Sequence, residues 1–413
     1  MPGFSNNLPF CAALCALLLV VAAQAAKFDM TQSSNLAIYW GQNDNQPDLM
    51  DVCQSDSSDT VILAFVSAYP TSTGSMTYNF GSDCGQDELD GCAKLGDAVK
   101  ACQAAGKIVT VSIGGGDAFV VLSSDDEAKT FGEMIYDTFL GGKGQKRPFG
   151  DIVLDGVDLD IEGGQTTYFP SFVDRMWEYA KEQGDTRKYY LTGAPQCPFP
   201  DGYMSYVLNH VPFDAIYIQF YNNEPTCGLQ VEEHGWDNFN FGTWDDWASN
   251  TSPNKHVKLY VGAPASQSAG NYYVEAGQMG TIIGATRQNY SSFGGVMLWD
   301  AGNARDNGNF DTQMKNFLMK SGGGAPPSST ESTFRTDVPA STSASSTLPA
   351  TDTDEGRPTS SIGSNVTTDG GEITSRRRHK TSSGFETSRG SATATAGNTC
   401  RTPADSGKSE EDH

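Results

Sequence analysis

Residues 155–162 read Asp155-Gly-Val-Asp158-Leu-Asp160-Ile-Glu162, four acids in eight positions with mostly apolar residues between them. As a strand, this segment puts Asp158, Asp160 and Glu162 on one face and Val157, Leu159 and Ile161 on the other. The apolar face packs. The stacked carboxylates repel one another and lose hydration, so at least one keeps its proton near neutral pH. A carboxylic acid still protonated at working pH is what an enzyme needs to give a proton to a leaving oxygen. An acidic edge strand or a calcium site also clusters acids. A calcium loop, however, sets Gly and polar residues between its ligands, not Val, Leu and Ile. The segment reads as catalytic.

Eight apolar runs predict strands at 36–40, 61–66, 108–113, 152–161, 189–193, 215–220, 257–261 and 295–299. Most are continuously apolar, as strands covered by helices on both faces are. Helical patterns fall between several of them, at 89–105, 128–140 and 169–183. Eight strand–helix repeats are the arithmetic of an α/β (β/α)8 TIM barrel. An open doubly wound sheet would need a nucleotide-type switch point, and no such motif is present.

In such a barrel the chemistry sits at the carboxyl ends of the strands. Here those ends carry Tyr39, Gln42, Asn43, Phe65, Ser67, Ser112, Glu162, Gln196, Gln219, Tyr221, Asn222, Trp299 and Asp300. Aromatic faces and side-chain amides around a carboxylate suit a sugar, which offers apolar faces and hydroxyls.

Residues 1–26 read as a secretory signal: an apolar run from Phe10 to Ala23 leads to the small-x-small site Ala23-Gln-Ala25. No other segment is long and apolar enough to span a bilayer. Of nine cysteines, Cys11 and Cys15 lie in that leader and Cys400 near the end. This leaves Cys53, Cys84, Cys92, Cys102, Cys197 and Cys227 as an even set in an oxidising compartment. Their spacing and the five scattered histidines fit no metal site, and no cofactor motif is present. A net charge of −23 disfavours nucleic acid and anionic membranes and favours a neutral substrate. From Ser321 onward, 35 of 93 residues are Ser or Thr and only Phe334 and Phe385 are aromatic, so residues 321–413 read as a disordered, O-glycosylated tail. Asn250, Asn289 and Asn365 begin N-glycosylation sequons.

The motifs AIYWGQN (37–43), SIGGG (112–116), DGVDLDIE (155–162), YLTGAPQCPFPD (190–201), QFYNN (219–223) and GGVMLW (294–299) resemble, in order, those of family 18 glycoside hydrolases, the hevamine-like class III chitinases. The resemblance implies a catalytic barrel over 27–320 that hydrolyses internal β-1,4 N-acetylglucosamine linkages of chitin with retention, through an oxazolinium intermediate formed by the substrate's own acetamido group. Glu162 would be the general acid. Asp160 would hold the N-acetyl group, Asp158 would share a proton with Asp160, and Tyr221 would bond the acetyl carbonyl. Gln219 and Trp299 would shape the subsite floor, and Ser112–Gly116 would be structural. The family pattern also implies the disulfides Cys53–Cys102, Cys84–Cys92 and Cys197–Cys227. The expected partner is chitin or its oligosaccharides, acted on by a secreted monomer retained in the cell wall; the Ser/Thr tail points to a fungus. The alternatives are a catalytically silent chitin-binding lectin or inhibitor on the same barrel, or a chitinase with lysozyme side activity.

Overall fold

Strands and helices alternate along the residues that the computed structural model describes, 28–81, 84–85 and 89–320. The main strands are β1 (Asn35–Trp40), β2 (Thr60–Tyr69), β3 (Ile108–Gly114), β4 (Gly156–Asp160), β5 (Tyr190–Gly193), β6 (Ala215–Gln219), β7 (Lys258–Pro264) and β8 (Phe293–Trp299). Each pairs in parallel with its neighbours, and the β1–β8 and β1–β2 pairings close the sheet. The result is a TIM barrel. Two short strands, Thr77–Tyr78 and Phe119–Val120, extend the far end of β2.

The connections carry α1 (Leu49–Gln54), α2 (Leu89–Ala104), α3 (Asp125–Phe139), α4 (Phe169–Glu182), α5 (Ser205–His210), α6 (Val231–His234), α7 (Phe241–Asn250), α8 (Ala276–Asn289), α9 (Ala301–Asp306) and α10 (Phe310–Met319). The alternate residues of the strands that face these helices, such as Val61, Leu63, Val109, Val111, Val157 and Leu159, join one large buried apolar cluster. On α3 and α4, Phe131 stacks on Phe172 and on Tyr69 of β2, with centroids 5.1 and 4.1 Å away. This outer layer is the main hydrophobic store of the fold.

Several boundaries differ from the sequence reading. The predicted strand 152–161 is shorter, starting at Gly156 and stopping at Asp160. The preceding residue is diverted: the Asp155 carboxylate accepts the Val109 amide at 2.8 Å and the Gln103 side chain at 3.1 Å. Helix α3 starts three residues before its apolar periodicity does. Ser124 caps it by accepting the Glu127 amide at 3.2 Å, while Glu127 reaches back to the Ser123 amide and hydroxyl.

Disulfides join Cys53 to Cys102, Cys84 to Cys92 and Cys197 to Cys227. Between β7 and β8 the chain makes one loop and α8. No helix among the described residues is long and apolar enough to cross a membrane. The leader, the tail, Asn365 and Cys400 lie outside the described residues.

Candidate active site

The inside of the barrel sets a polar cluster among small, apolar and aromatic residues, where such lumens are usually filled with branched aliphatics. Strand register explains the arrangement: Ser112 of β3 and Thr192 of β5 both pair with Asp158 of β4. Asp158 is fully buried and takes three hydroxyl donors, Thr192 at 2.6 Å, Ser112 at 2.7 Å and Tyr39 at 2.8 Å. Burial pushes its pKa up, and the three donors pull it back toward the charged form.

Asp160, one pleat nearer the strand ends, has a different environment. Its Oδ1 accepts one amide hydrogen from Gln219 at 2.9 Å, and the same amide is anchored on the Ala194 carbonyl at 2.9 Å. Burial, then Glu162, then Asp158 hold its pKa well above the usual carboxylate range. Both stacked aspartates are pushed toward the neutral form, Asp160 with one side-chain donor where Asp158 has three. Glu162 stands two residues past the end of β4, partly exposed, with Oε2 at 3.3 Å from the Gln196 amide. Burial raises its pKa, against the Gln196 and Gln219 amides and with Asp201 and Asp117 adding to the rise. A carboxyl so placed is suited to donating a proton.

Gly114 allows this stacking. A side chain there would put its Cβ 2.0 Å from the Asp160 carbonyl oxygen, and its φ of +121° favours glycine. The Gly115 amide donates to that same carbonyl at 2.8 Å.

Above the carboxylates lies a cleft of about 520 Å³ lined by Asp160, Glu162, Gln219, Tyr221 and Trp299, with the glycines after β3 along one side. Trp299 stacks on Phe65 at 5.8 Å and meets the edge of Tyr39 at 5.5 Å, so three rings support its floor. Tyr221 is buried, and its hydroxyl has no hydrogen-bond partner among the described residues. No lysine, arginine or histidine is among the residues lining the cleft, and the hydrogen bonds its carboxylates accept come from neutral donors.

The predicted site residues separate by position. Tyr39, Gln42, Phe65, Asp160, Glu162, Gln219, Tyr221, Asn222 and Trp299 line the cleft. Of these, the Gln42 amide is committed to the Ala64, Gly41 and Asn79 carbonyls, and Asn222 accepts the Asn271 amide at 2.8 Å. Asn43 does not line it: its amide donates to Asp300 at 3.3 Å and its oxygen accepts the Asn45 amide, tying the ends of β1 and β8 together. The Gln196 side chain meets Glu162, and its backbone bridges to Gln219. Three residues were given no part in the site by the sequence. Thr192 and Ser112 hold Asp158; the second sits in the glycine-rich stretch read as purely structural. Asp201, buried, organises the loop after β5 by accepting the amides of Gln196, Tyr203 and Met204.

The sequence model described as "Glycosyl hydrolases family 18" matches residues 35–282. The chain belongs to that family. Among curated relatives, "Chitinase 2" of Rhizopus oligosporus is 38% identical over 75% of this chain and 56% of its own length. "Endochitinase" of Saccharomyces cerevisiae is 36% identical over 68% of this chain and 49% of its own. The chain thus spans about half the length of these fungal family members. "Acidic endochitinase SE2" of Beta vulgaris, 35% identical over 68% of this chain, is covered over 92% of its length. Among solved structures, a chitinase from Ipomoea carnea superposes with a TM-score of 0.59 at 29% identity, covering 68% of this chain and 99% of that one. A xylanase and alpha-amylase inhibitor protein from Scadoxus multiflorus does so at 0.60 and 26%, covering 68% of this chain and 98% of that one. The barrel is thus shared with proteins named as a chitinase and as an inhibitor.

Proposed function

We propose that this protein is a secreted endochitinase that cleaves internal β-1,4 N-acetylglucosamine linkages with retention. The observation that carries the reading is the different setting of three stacked acids: Asp158 held by three hydroxyl donors, Asp160 buried between Asp158 and Glu162 with one amide donor, and Glu162 open to the cleft.

Asp160 and Glu162 leave one strand end two residues apart, so both address a sugar from the same side. The nucleophile then comes from the substrate. Glu162 protonates the glycosidic oxygen as the acetamido oxygen attacks C1 and the C1–O bond breaks. Asp160 hydrogen-bonds the acetamido nitrogen, and Tyr221, whose hydroxyl is free for it, bonds the acetamido oxygen. The Glu162 carboxylate next takes a proton from water, which opens the oxazolinium at C1 from the face that the leaving group left. Trp299 supports the apolar face of the sugar.

Internal cleavage fits the single loop and helix between β7 and β8, which add no further domain beside the cleft. Secretion fits the leader-like residues 1–26 and the three disulfides. Asn250 and Asn289 are exposed at the ends of α7 and α8, where glycans can be added.

A second reading, a silent binding or inhibitory protein, is favoured by the likeness to the Scadoxus inhibitor. One assay separates the two: purified protein with chitin, followed by product length, anomeric configuration by NMR, and activity on a substrate without 2-acetamido groups. The proposal expects early mixed oligomers of retained configuration and no turnover of the second substrate. No release from chitin supports the inhibitory reading. Dimers alone from the first minutes overturn the endo assignment, and equal turnover without acetamido groups overturns substrate assistance.

A further inference from the structure

The loop that follows β3 runs along one side of the cleft, and Gly114, Gly115, Gly116, Asp117 and Ala118 all line it. Its glycines bring the backbone close to the acid: a Cβ built on Gly116 would lie 4.0 Å from both carboxylate oxygens of Glu162. Asp117 comes next, is the first residue of this stretch with a side chain, and is exposed. Among the described residues its carboxylate takes part in no hydrogen bond or ion pair. Behind burial and Asp201, it adds to the rise in the pKa of Glu162. The cleft wall thus holds a carboxylate that the hydrolytic mechanism does not use.

Strand order says which part of a sugar chain Asp117 can meet. Asp160 and Glu162 belong to the end of β4. Gln219 and Tyr221 belong to the end of β6, which is reached from β4 by way of β5. Asp117 follows β3, which pairs with β4 on the opposite side. A sugar whose acetamido group lies between Asp160 and Tyr221 therefore has Asp117 across Glu162 from it. A β-1,4 chain lying over Glu162 presents a different unit to Asp117.

The charge of the cleft bears on what that unit carries. Asp117, Asp160 and Glu162 line it, and no cationic side chain does. An acetamido group gives a carboxylate one neutral N–H. A free amine on the same carbon, as an ammonium, gives three and adds a charge.

We propose that Asp117 is a specificity-determining residue that recognises a free amine on a sugar beside the one being cleaved, so that the protein favours partly deacetylated chains over fully acetylated ones. The inference rests on the hydrolytic reading for the identity of the reacting unit. That unit must keep its acetyl group, because its acetamido oxygen is the nucleophile.

The test is the ratio of kcat/KM on a partly deacetylated chito-oligosaccharide to that on a fully acetylated one, for wild type, Asp117→Asn, Asp117→Glu and Asp126→Asn. Any change that Asp117→Asn makes through Glu162 acts on both substrates and cancels in the ratio. Losing an exposed ion pair should lower the preference for the deacetylated chain by about 2–5-fold. The loss should shrink as salt is raised. Asp117→Glu keeps the charge and should keep most of the preference. Asp126 lies on α3 with its side chain 99% exposed and away from the cleft lining. Asp126→Asn removes the same charge from the protein and should leave the ratio as it is.

Binding of the two oligosaccharides by calorimetry, in a Glu162→Gln background with and without Asp117→Asn, reads the preference without turnover. A binding preference that Asp117→Asn abolishes, in a protein whose wild type hydrolyses neither substrate, supports this inference and removes the hydrolytic reading. A ratio and a binding preference unmoved by Asp117→Asn, or moved equally by Asp126→Asn, overturn the inference.

Discussion

Outside the strands, Val, Leu, Ile and Phe fill the space beneath the helices; inside them, Ser112, Asp158, Asp160, Thr192, Tyr217 and Gln219 fill the lumen. Both layers are buried, but they are held by different forces. The outer layer rests on area buried, which tolerates many apolar residues of suitable size. The inner layer rests largely on donors matched to acceptors around Asp158 and Asp160, where exchange is costly. Stability is concentrated in the first and chemistry in the second, so substitutions in the two should separate.

The largest expected effect on stability lies outside. Phe131→Ala removes a fully buried ring that stacks on Phe172 and Tyr69 and should cost about 3–5 kcal/mol by denaturant unfolding. The activity of the molecules that remain folded should be unchanged. A loss of kcat per folded molecule would break the separation.

Within the lumen the two aspartates should behave oppositely. Asp158→Asn turns one acceptor into a donor that faces hydroxyls already donating, and should cost about 1–3 kcal/mol as well as most turnover. Asp160→Asn should instead stabilise, by about 0.5–2 kcal/mol near neutral pH. A carboxyl whose pKa is raised on folding stabilises the protein fully below its unfolded pKa, about 4. That contribution is lost as pH rises through the folded value, which here lies well above the usual range. The gain from Asp160→Asn should therefore vanish in acid and grow toward neutral pH. Thermal unfolding of both variants across that range checks the pair; a destabilised Asp160→Asn at neutral pH contradicts the raised pKa of Asp160.

The smallest effect concerns the surface outside both layers. Asn250→Gln and Asn289→Gln should change mass by the loss of glycans and leave turnover unaltered, as mass spectrometry and the oligomer assay would report.

The same contrast decides what the sequence could disclose. The eight strands were legible because the outward residues are a run of apolar side chains and the inward ones, in most strands, are apolar or small. Asp158, Asp160 and Glu162 were legible because period-two spacing is a local property. Thr192 and Ser112 were not, since their roles depend on the cross-strand register that sets both beside Asp158. Asn43 failed for a related reason: a residue's place at a strand end does not say which way its side chain turns, and this one turns to Asp300. Asp201 lay in a motif that could be matched but gave no hint that its carboxylate gathers three amides.

The most direct test of the account is Glu162→Gln, with turnover and oligomer binding measured on the same preparation. The glutamine keeps shape and hydrogen bonding but has no proton to give. Turnover should fall by at least about 10²–10⁴ while chito-oligosaccharide affinity stays within a few-fold of wild type. Turnover within tenfold of wild type would contradict the assignment of Glu162 as the acid, and with it the division of roles among the three stacked carboxylates.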